Sequence, residues 1–371
     1  MKNIARIAIL SAFLCLEAKA APFMAVGDNA ELFVTAAAAV QFDDNIFLDP
    51  SNEENDTIFS FTPGVDLVFG KGSATSGNVY YREEIRRYSN NDIQNTELSN
   101  LGFNSNYGNG VTKVDVNASY AQVAQNDSDI NLVGTIVRRK LTQVGAKAEF
   151  GLSEKTKFSL GLAYNKTDYG PSGYTDSDIW TFPLDVYYES SPKLDWSLGY
   201  KYRKTDLSGI GSDSDDHFLN LGARGEFTPK LTGQVRLGYT QRSFDVGSDE
   251  SLFGVDSNLT YLFSEKTSYR LSLGNDFGSS GTGASTKNFT LGLSANTHFT
   301  EQWYMTAGVN FRSIDYSSRT DDYTEGQIGV TYVYNTNVNF TASLTLRNNS
   351  SDLPAAEFTN NVFSLGANIR Y

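Results

Sequence analysis

Cysteine, histidine and proline are nearly absent from this sequence, and so is any long apolar run. The single cysteine, Cys15, sits within the first twenty residues. No disulfide framework and no cysteine-based zinc site is therefore available to the rest of the chain. The two histidines, His217 and His298, fall on separate segments and, by period-two parity, face opposite ways. That removes a shared histidine site and leaves no Ser-His-Asp arrangement to assemble. Asp215, Asp216 and His217 alternate in direction, so they support weak metal coordination at most. After the N-terminus no run of about 18 apolar residues occurs, which excludes a helical membrane protein. No glycine-rich phosphate loop leads into a helix, and no basic cluster is interleaved with aromatics, so nucleic acid is not an expected partner.

Acid, aromatics and glycine are abundant instead. The net charge is −13, with 21 Tyr, 24 Phe and 32 Gly. The mean hydropathy of −0.35 resembles that of a soluble chain, but a β-barrel in lipid reads the same way because half of each strand is polar. Residues 1–20 carry the pattern of a signal peptide. Lys2 and Arg6 open it, Ile7 to Leu16 is apolar, and Ala18-Lys19-Ala20 is a small-x-small cleavage site. Cleavage removes Cys15, three basic residues and Glu17, moving the net charge from −13 to −15. Residues 21–371 then form a single domain.

The last stretch, Asn361 to Tyr371, organises the rest. Phe363, Leu365, Ala367, Ile369 and Tyr371 share one face; Ser364, Gly366, Asn368 and Arg370 share the other. A soluble sheet would expose such a strand as a sticky edge. A closed barrel in lipid has no edge and needs this alternation. Ser364, Gly366, Ile369 and Tyr371 also match the C-terminal assembly signal of bacterial outer-membrane barrels. The implied partners are outer-membrane lipid, lipopolysaccharide and the barrel-assembly machinery.

Short polar clusters recur about every 36 residues, as at Ser153–Thr156, Thr228–Leu231, Ser264–Thr267, Thr300–Gln302 and Asn335–Asn337. Two strands, one tight turn and one longer loop account for that period. Reading strands between the clusters gives eighteen, from 30–42 to 360–371, or sixteen if two segments are misread. The expected fold is all-β, a single transmembrane antiparallel barrel with both termini in the periplasm. Aromatics gather at both strand ends: Trp196, Phe263, Phe299 and Trp303 on the periplasmic side, and Tyr202, Phe253, Phe277 and Phe289 on the outer side. Two interfacial girdles are the expected reading.

The same parity gives a charge map. Arg82, Glu84, Arg86, Arg139, Lys147, Glu149, Arg203, Arg236, Arg312 and Arg347 point inward, within a lumen that is mixed and slightly basic. Arg82, Glu84 and Arg86 are expected to ladder toward Lys147 and Glu149, mainly as a stiffening network. Excess acid is assigned to the outer loops: Asp43, Asp44, Asp49, Glu53, Glu54 and Asp56, then Asp213, Asp215 and Asp216, Asp245, Asp249 and Glu250, and Asp321 and Asp322. No cofactor is expected, apart from divalent cations shared between this rim and lipopolysaccharide phosphates. A basic lumen favours neutral or anionic solutes.

The exit from the first strand reads Asp43-Asp44-Asn45-Ile46-Phe47 after Phe42. This resembles the outer-membrane β-barrel porin 2 family of Gram-negative bacteria. Asp43, Asp44 and Asn45 suit a turn, with Ile46 and Phe47 folding back on the rim; no long loop folding into the lumen is evident. The resemblance implies a passive barrel without catalytic residues. The expected function is a porin-like channel for small hydrophilic solutes. Alternatives are an exopolysaccharide or capsule export barrel working with periplasmic export proteins, and a structural or adhesive surface barrel.

Overall fold

The computed structural model describes residues 21–371 apart from 128–129, 131–133 and 210. The leader assigned to residues 1–20 lies outside the described residues. The chain forms one antiparallel sheet of nineteen strands. They are β1 (Met24–Val26), β2 (Ala30–Asp43), β3 (Asp56–Phe69), β4 (Thr75–Tyr88), β5 (Thr96–Gly108), β6 (Thr112–Ala124), β7 (Arg138–Gly151), β8 (Thr156–Tyr169), β9 (Ser177–Ser191) and β10 (Leu194–Leu207). Then follow β11 (Ser214–Thr228), β12 (Leu231–Phe244), β13 (Glu250–Leu262), β14 (Thr267–Ser279), β15 (Ser285–His298), β16 (Trp303–Tyr316), β17 (Thr320–Val333), β18 (Val338–Ser351) and β19 (Phe358–Arg370). Strands β2 to β19 are the expected eighteen, each paired with its sequence neighbour. β19 returns to β2 from Val362↔Asp43 to Arg370↔Thr35 and closes the wall. A strand of 14 residues such as β2 runs about 46 Å at roughly 3.3 Å per residue, ample for a tilted bilayer crossing.

The barrel is inside-out relative to a soluble fold. On β11, Leu219 and Leu221 are 60% and 68% exposed while Phe218 and Asn220, alternating with them, are buried. Outward Trp196, Phe263, Phe299 and Trp303 are exposed at the periplasmic ends, where amphipathic rings suit the headgroup layer.

The recurring polar clusters are the periplasmic turns, and their chemistry explains the recurrence. A side-chain oxygen accepts the N–H three residues on: Ser153 Oγ from Thr156 at 3.1 Å, Thr228 Oγ1 from Leu231 at 3.0 Å, Thr300 Oγ1 from Trp303 at 3.1 Å and Asn335 Oδ1 from Val338 at 2.9 Å. Each replaces a backbone bond that the reversing chain loses. The β3–β4 turn uses glycine instead. Gly70 has φ +75°, and a Cβ there would stand 2.0 Å from the Thr75 carbonyl oxygen.

Several ladders in the wall are short, and two of them shape how it closes. At the seam, β19 and β2 share nine register pairs where β2 and β3 share fourteen. Tyr371 extends the seam by exchanging backbone hydrogen bonds of 2.7 and 2.9 Å with Val34. β1 then continues the same lane, pairing Met24 with Leu32 and Val26 with Ala30, and Phe23 meets the Tyr371 ring edge-on at 6.4 Å. The second place is β13 and β14, which pair only up to Val255↔Asn275. Above that level β14 bends into the lumen. Phe277, expected in the outer girdle, is instead 2% exposed beneath the Arg242 guanidinium, 4.7 Å from its ring centroid. Strict parity fails there because the strand has left its neighbour.

Leu221 lies at the middle of β11, facing lipid. Leu221→Arg is expected to lower the stability of the barrel folded into phospholipid vesicles by about 2–4 kcal/mol, read as a shift in the urea unfolding midpoint.

Candidate functional site

The lumen is shaped by the first outer loop, residues 44–55, which folds inward. Ile46 and Phe47 do not lie back on the rim. They form a buried cluster with Ile58, Tyr88, Leu98, Ala124 and Ile136, on or next to β3 to β7. Leu48 is 4% exposed and has φ +56°, the sole positive value at a non-glycine among the described residues. The apolar side chains that made this loop unusual find no lipid at its height, so the lumen wall is where they leave water.

Asn45 is the pivot of this turn and is fully buried. Its Nδ2 donates to the Asp49 and Thr359 carbonyls, both at 2.9 Å, and its Oδ1 accepts the Asp49 N–H at 2.9 Å. The Thr359 bond reaches β19. Asn360 Nδ2 donates back to Asp43 Oδ1 at 2.6 Å, and Asp44 accepts the Asn361 backbone and side-chain N–H groups, each at 2.6 Å. Asp43, Asp44 and Asn45 therefore clasp the first strand to the last, above the short seam. Asn126 ties the loop on its other side, donating to the Phe47 and Thr135 carbonyls at 3.0 and 2.9 Å. Opposite, the 170–176 and 280–284 loops join through Thr175 N–H and the Gly281 carbonyl at 2.8 Å. What remains beside the first loop is a cavity of about 100 Å³. Ile46 and Leu48 face Gln327, Ser343, Thr345, Arg347 and Ser364 across it.

Much of the acid assigned to an outer rim is structural and sits lower. Asp43 and Asp56 are strand ends, and Asp216 and Asp321 are fully buried. Asp56 accepts the N–H groups of Ser89, Asn90 and Asn91 at 3.0, 3.1 and 2.9 Å. Asp49 caps a turn through the Ser51 and Asn52 N–H groups, which hold its carboxyl below the usual range. Among the described residues, no three His, Cys, Asp or Glu side chains form a metal-binding group.

The inward charges pair off one by one, and the ladder from Arg82, Glu84 and Arg86 toward Lys147 and Glu149 is absent. Arg82 pairs with Asp66 at 3.3 Å, Arg86 with Glu84 at 2.6 Å, and Arg139 with Asp127 at 3.1 Å. Glu149 is taken by Arg224 at 2.6 Å, Arg236 reaches Asp185 at 2.9 Å, and Arg347 reaches Glu325 at 3.1 Å. Arg312 lies 5.2 Å from the Tyr323 ring centroid. Arg82 and Arg347 find their acids on the adjacent strand, whereas Arg224 on β11 reaches Glu149 on β7 and Arg236 on β12 reaches Asp185 on β9, so nearness within the lumen, not strand order, selects these partners. The densest knot joins Arg203, Asp216, Arg242 and Asp276. Arg242 holds Asp216 at 2.6 Å and the Gly278 carbonyl at 2.8 Å, Arg203 holds Asp276 at 3.1 Å and the Phe277 carbonyl at 3.0 Å, and Arg203 also pairs with Asp216. Two arginines thus replace the missing β13–β14 ladder. His217 faces outward, its Nδ1 2.7 Å from the Tyr200 hydroxyl, and His298 packs on Tyr304. Asn126 and Asn360 carried no sequence signal, being single polar residues whose partners are remote in the chain.

A closed, edge-free barrel with a lipid-facing apolar surface defines an outer-membrane β-barrel. The family profile described as putative beta-barrel porin 2 matches residues 21–371, and the chain belongs to that family of outer-membrane, porin-like barrels. Among solved structures it is similar to OccK2 (OpdF) of Pseudomonas aeruginosa, at 9% identity and a TM-score of 0.50 over 92% of this chain and 98% of that one. It is also similar to OccAB3 of Acinetobacter baumannii, at 10% identity and a TM-score of 0.49 over 93% of this chain and 100% of that one. At such identities the likeness is one of fold. A comparison with curated proteins gives no match.

Two substitutions test the clasp and the knot. Asn45→Ala leaves the Asp49 N–H and the Thr359 carbonyl without their partner and is expected to destabilise the barrel by about 2–4 kcal/mol, read as a lower temperature for the unfolding gel shift. Arg242→Met strips one partner from a buried pair and is expected to cost about 3 kcal/mol, with hydrogen exchange rising selectively at residues 276–279.

Proposed function

We propose that this barrel is a passive channel for small hydrophilic solutes whose narrowest point lies beside the first outer loop. The observation that carries this reading is the inward fold of Ile46 to Leu48, which leaves a cavity of about 100 Å³ between the loop and the β17–β19 wall. A lumen narrowed by this loop suits small solutes and weighs against the polysaccharide-export reading, which needs a wide conduit. Among the described residues, no arrangement of nucleophile, base and orienting group speaks for an enzyme. The terminal strand with Ser364, Gly366, Ile369 and Tyr371 supplies the signal for the assembly machinery. Acids left exposed outside, such as Glu53 and Glu54, would attract divalent cations shared with lipopolysaccharide.

Single-channel recording in a planar bilayer tests the reading. The wild-type protein is expected to conduct in small steps without any partner. The double variant Ile46→Ala, Leu48→Ala is expected to raise the step by about twofold, because the constriction loses the loop's lining side chains. Absence of conductance from folded protein would sink the proposal, and an unchanged step in the variant would move the constriction elsewhere.

A further inference from the structure

Charge is segregated along the pore axis. In the outer half, the cations Arg86, Arg139, Arg203, Arg242 and Arg347 are all nearly buried and all paired. The periplasmic half differs. It opens into a cavity of about 810 Å³ walled by strands from β6 round to β14. Six basic and three acidic side chains line it. Arg224 holds Glu149 at 2.6 Å and Asp195 at 3.0 Å, Lys157 adds Asp195 at 3.4 Å and Glu189 at 3.3 Å, and Lys193 holds Glu226 at 2.5 Å. Lys113, Lys147 and Arg270 remain, with no ion pair to any described residue. The one lining acid without an ion pair is Asp115, which sits opposite Lys147 in the β6–β7 register.

These three cations come from both sides of the cavity, two from the adjacent strands β6 and β7 and one from β14. We infer that the periplasmic vestibule is a binding site for small oxyanions carrying two or more negative charges, held between Lys113 and Lys147 on one wall and Arg270 on the other. A single charge can be neutralised by either wall alone. A multiply charged solute gains from both, and the polar, water-filled cavity leaves it room to keep part of its hydration. The paired cations around it contribute hydrogen-bond donors rather than net charge. The inference deepens the channel reading and rests on it. An anion that has passed the outer constriction would dwell here before release to the periplasm, and one added from the periplasm would meet the site first.

The test uses the full-length mature protein in detergent and in bilayers, with succinate and sulfate as probes. Titration calorimetry on the detergent-solubilised protein is expected to show saturable binding of at least one probe, weakening as ionic strength rises. A preference for succinate marks a site matched to separated charges; a preference for sulfate marks a compact one. The triple variant K113Q/K147Q/R270Q is expected to bind about tenfold more weakly, and Asp115→Asn to bind more tightly, since local charge sets the potential in the cavity. Lys113 and Arg270 are exposed and Lys147 is half-buried, and the gel shift checks that the variants fold. In bilayers, either dianion added on the periplasmic side is expected to reduce chloride current at lower concentration than when added outside. Equal affinity in the wild type, the triple variant and Asp115→Asn, or no binding at all, overturns the inference. A protein that binds the dianion in calorimetry yet passes no current keeps the site and loses the channel.

Discussion

In hydrocarbon no backbone N–H or C=O group can be left without a partner, and this constraint governs the whole structure. It requires the sheet to close, and closure makes the first and last strands meet. That junction is one of the shortest ladders in the wall, with nine register pairs. The chain reinforces it at both ends with unrelated means. On the periplasmic side Tyr371 and β1 continue the backbone ladder; on the outer side Asp43, Asp44 and Asn45 bond to Thr359, Asn360 and Asn361 with side chains. The same requirement explains the β13–β14 gap, where guanidinium groups reach the Phe277 and Gly278 carbonyls that a neighbouring strand would otherwise have satisfied.

Closure and constriction are coupled through one residue. Asn45 spends its amide on β19 and on Asp49 at once, so the turn that locks the seam also fixes the direction in which the next three residues leave it. Ile46 and Phe47 are thereby aimed at the wall of β3 to β6, and burial of their apolar surface holds the loop there. A five-residue motif that reads as a turn is thus two devices in sequence, a polar clasp and an apolar anchor.

The sequence made the wall legible because a strand pair imposes two local rules. Side chains alternate with period two, and most of the tight turns use a side-chain oxygen to accept an N–H two or three residues on. Both rules act within a few residues, so eighteen strands and their faces could be read from spacing alone. Pairing across the lumen obeys no such rule. Whether Glu149 meets Arg86 or Arg224 depends on which strands curve toward each other, and the choice fell on Arg224, reached from β11. The inward loop left a sign that was read as a rim feature: three consecutive apolar residues in an otherwise acidic loop. Acidic residues misled in the other direction. Asp216 and Asp56 look like solvated loop charges but serve as buried acceptors, because each faces several donors that the fold must satisfy.

The axial contrast in ion pairing follows from the same physics. A buried charge must find a partner or leave the interior, since desolvation without compensation costs several kcal/mol. Near the outer mouth the inward loops crowd the lumen, and arginines such as Arg242, 1% exposed, survive only as members of a network. Below the loops the lumen widens and water does much of the solvating, so Lys113, Lys147 and Arg270 are tolerated there without an ion pair to any described residue. The constriction therefore consists of charges already spent on each other, and the vestibule of charges still available to a solute. Selectivity by size and selectivity by charge are placed at different depths of one pore, and each depth follows from how much water the folded loops leave behind.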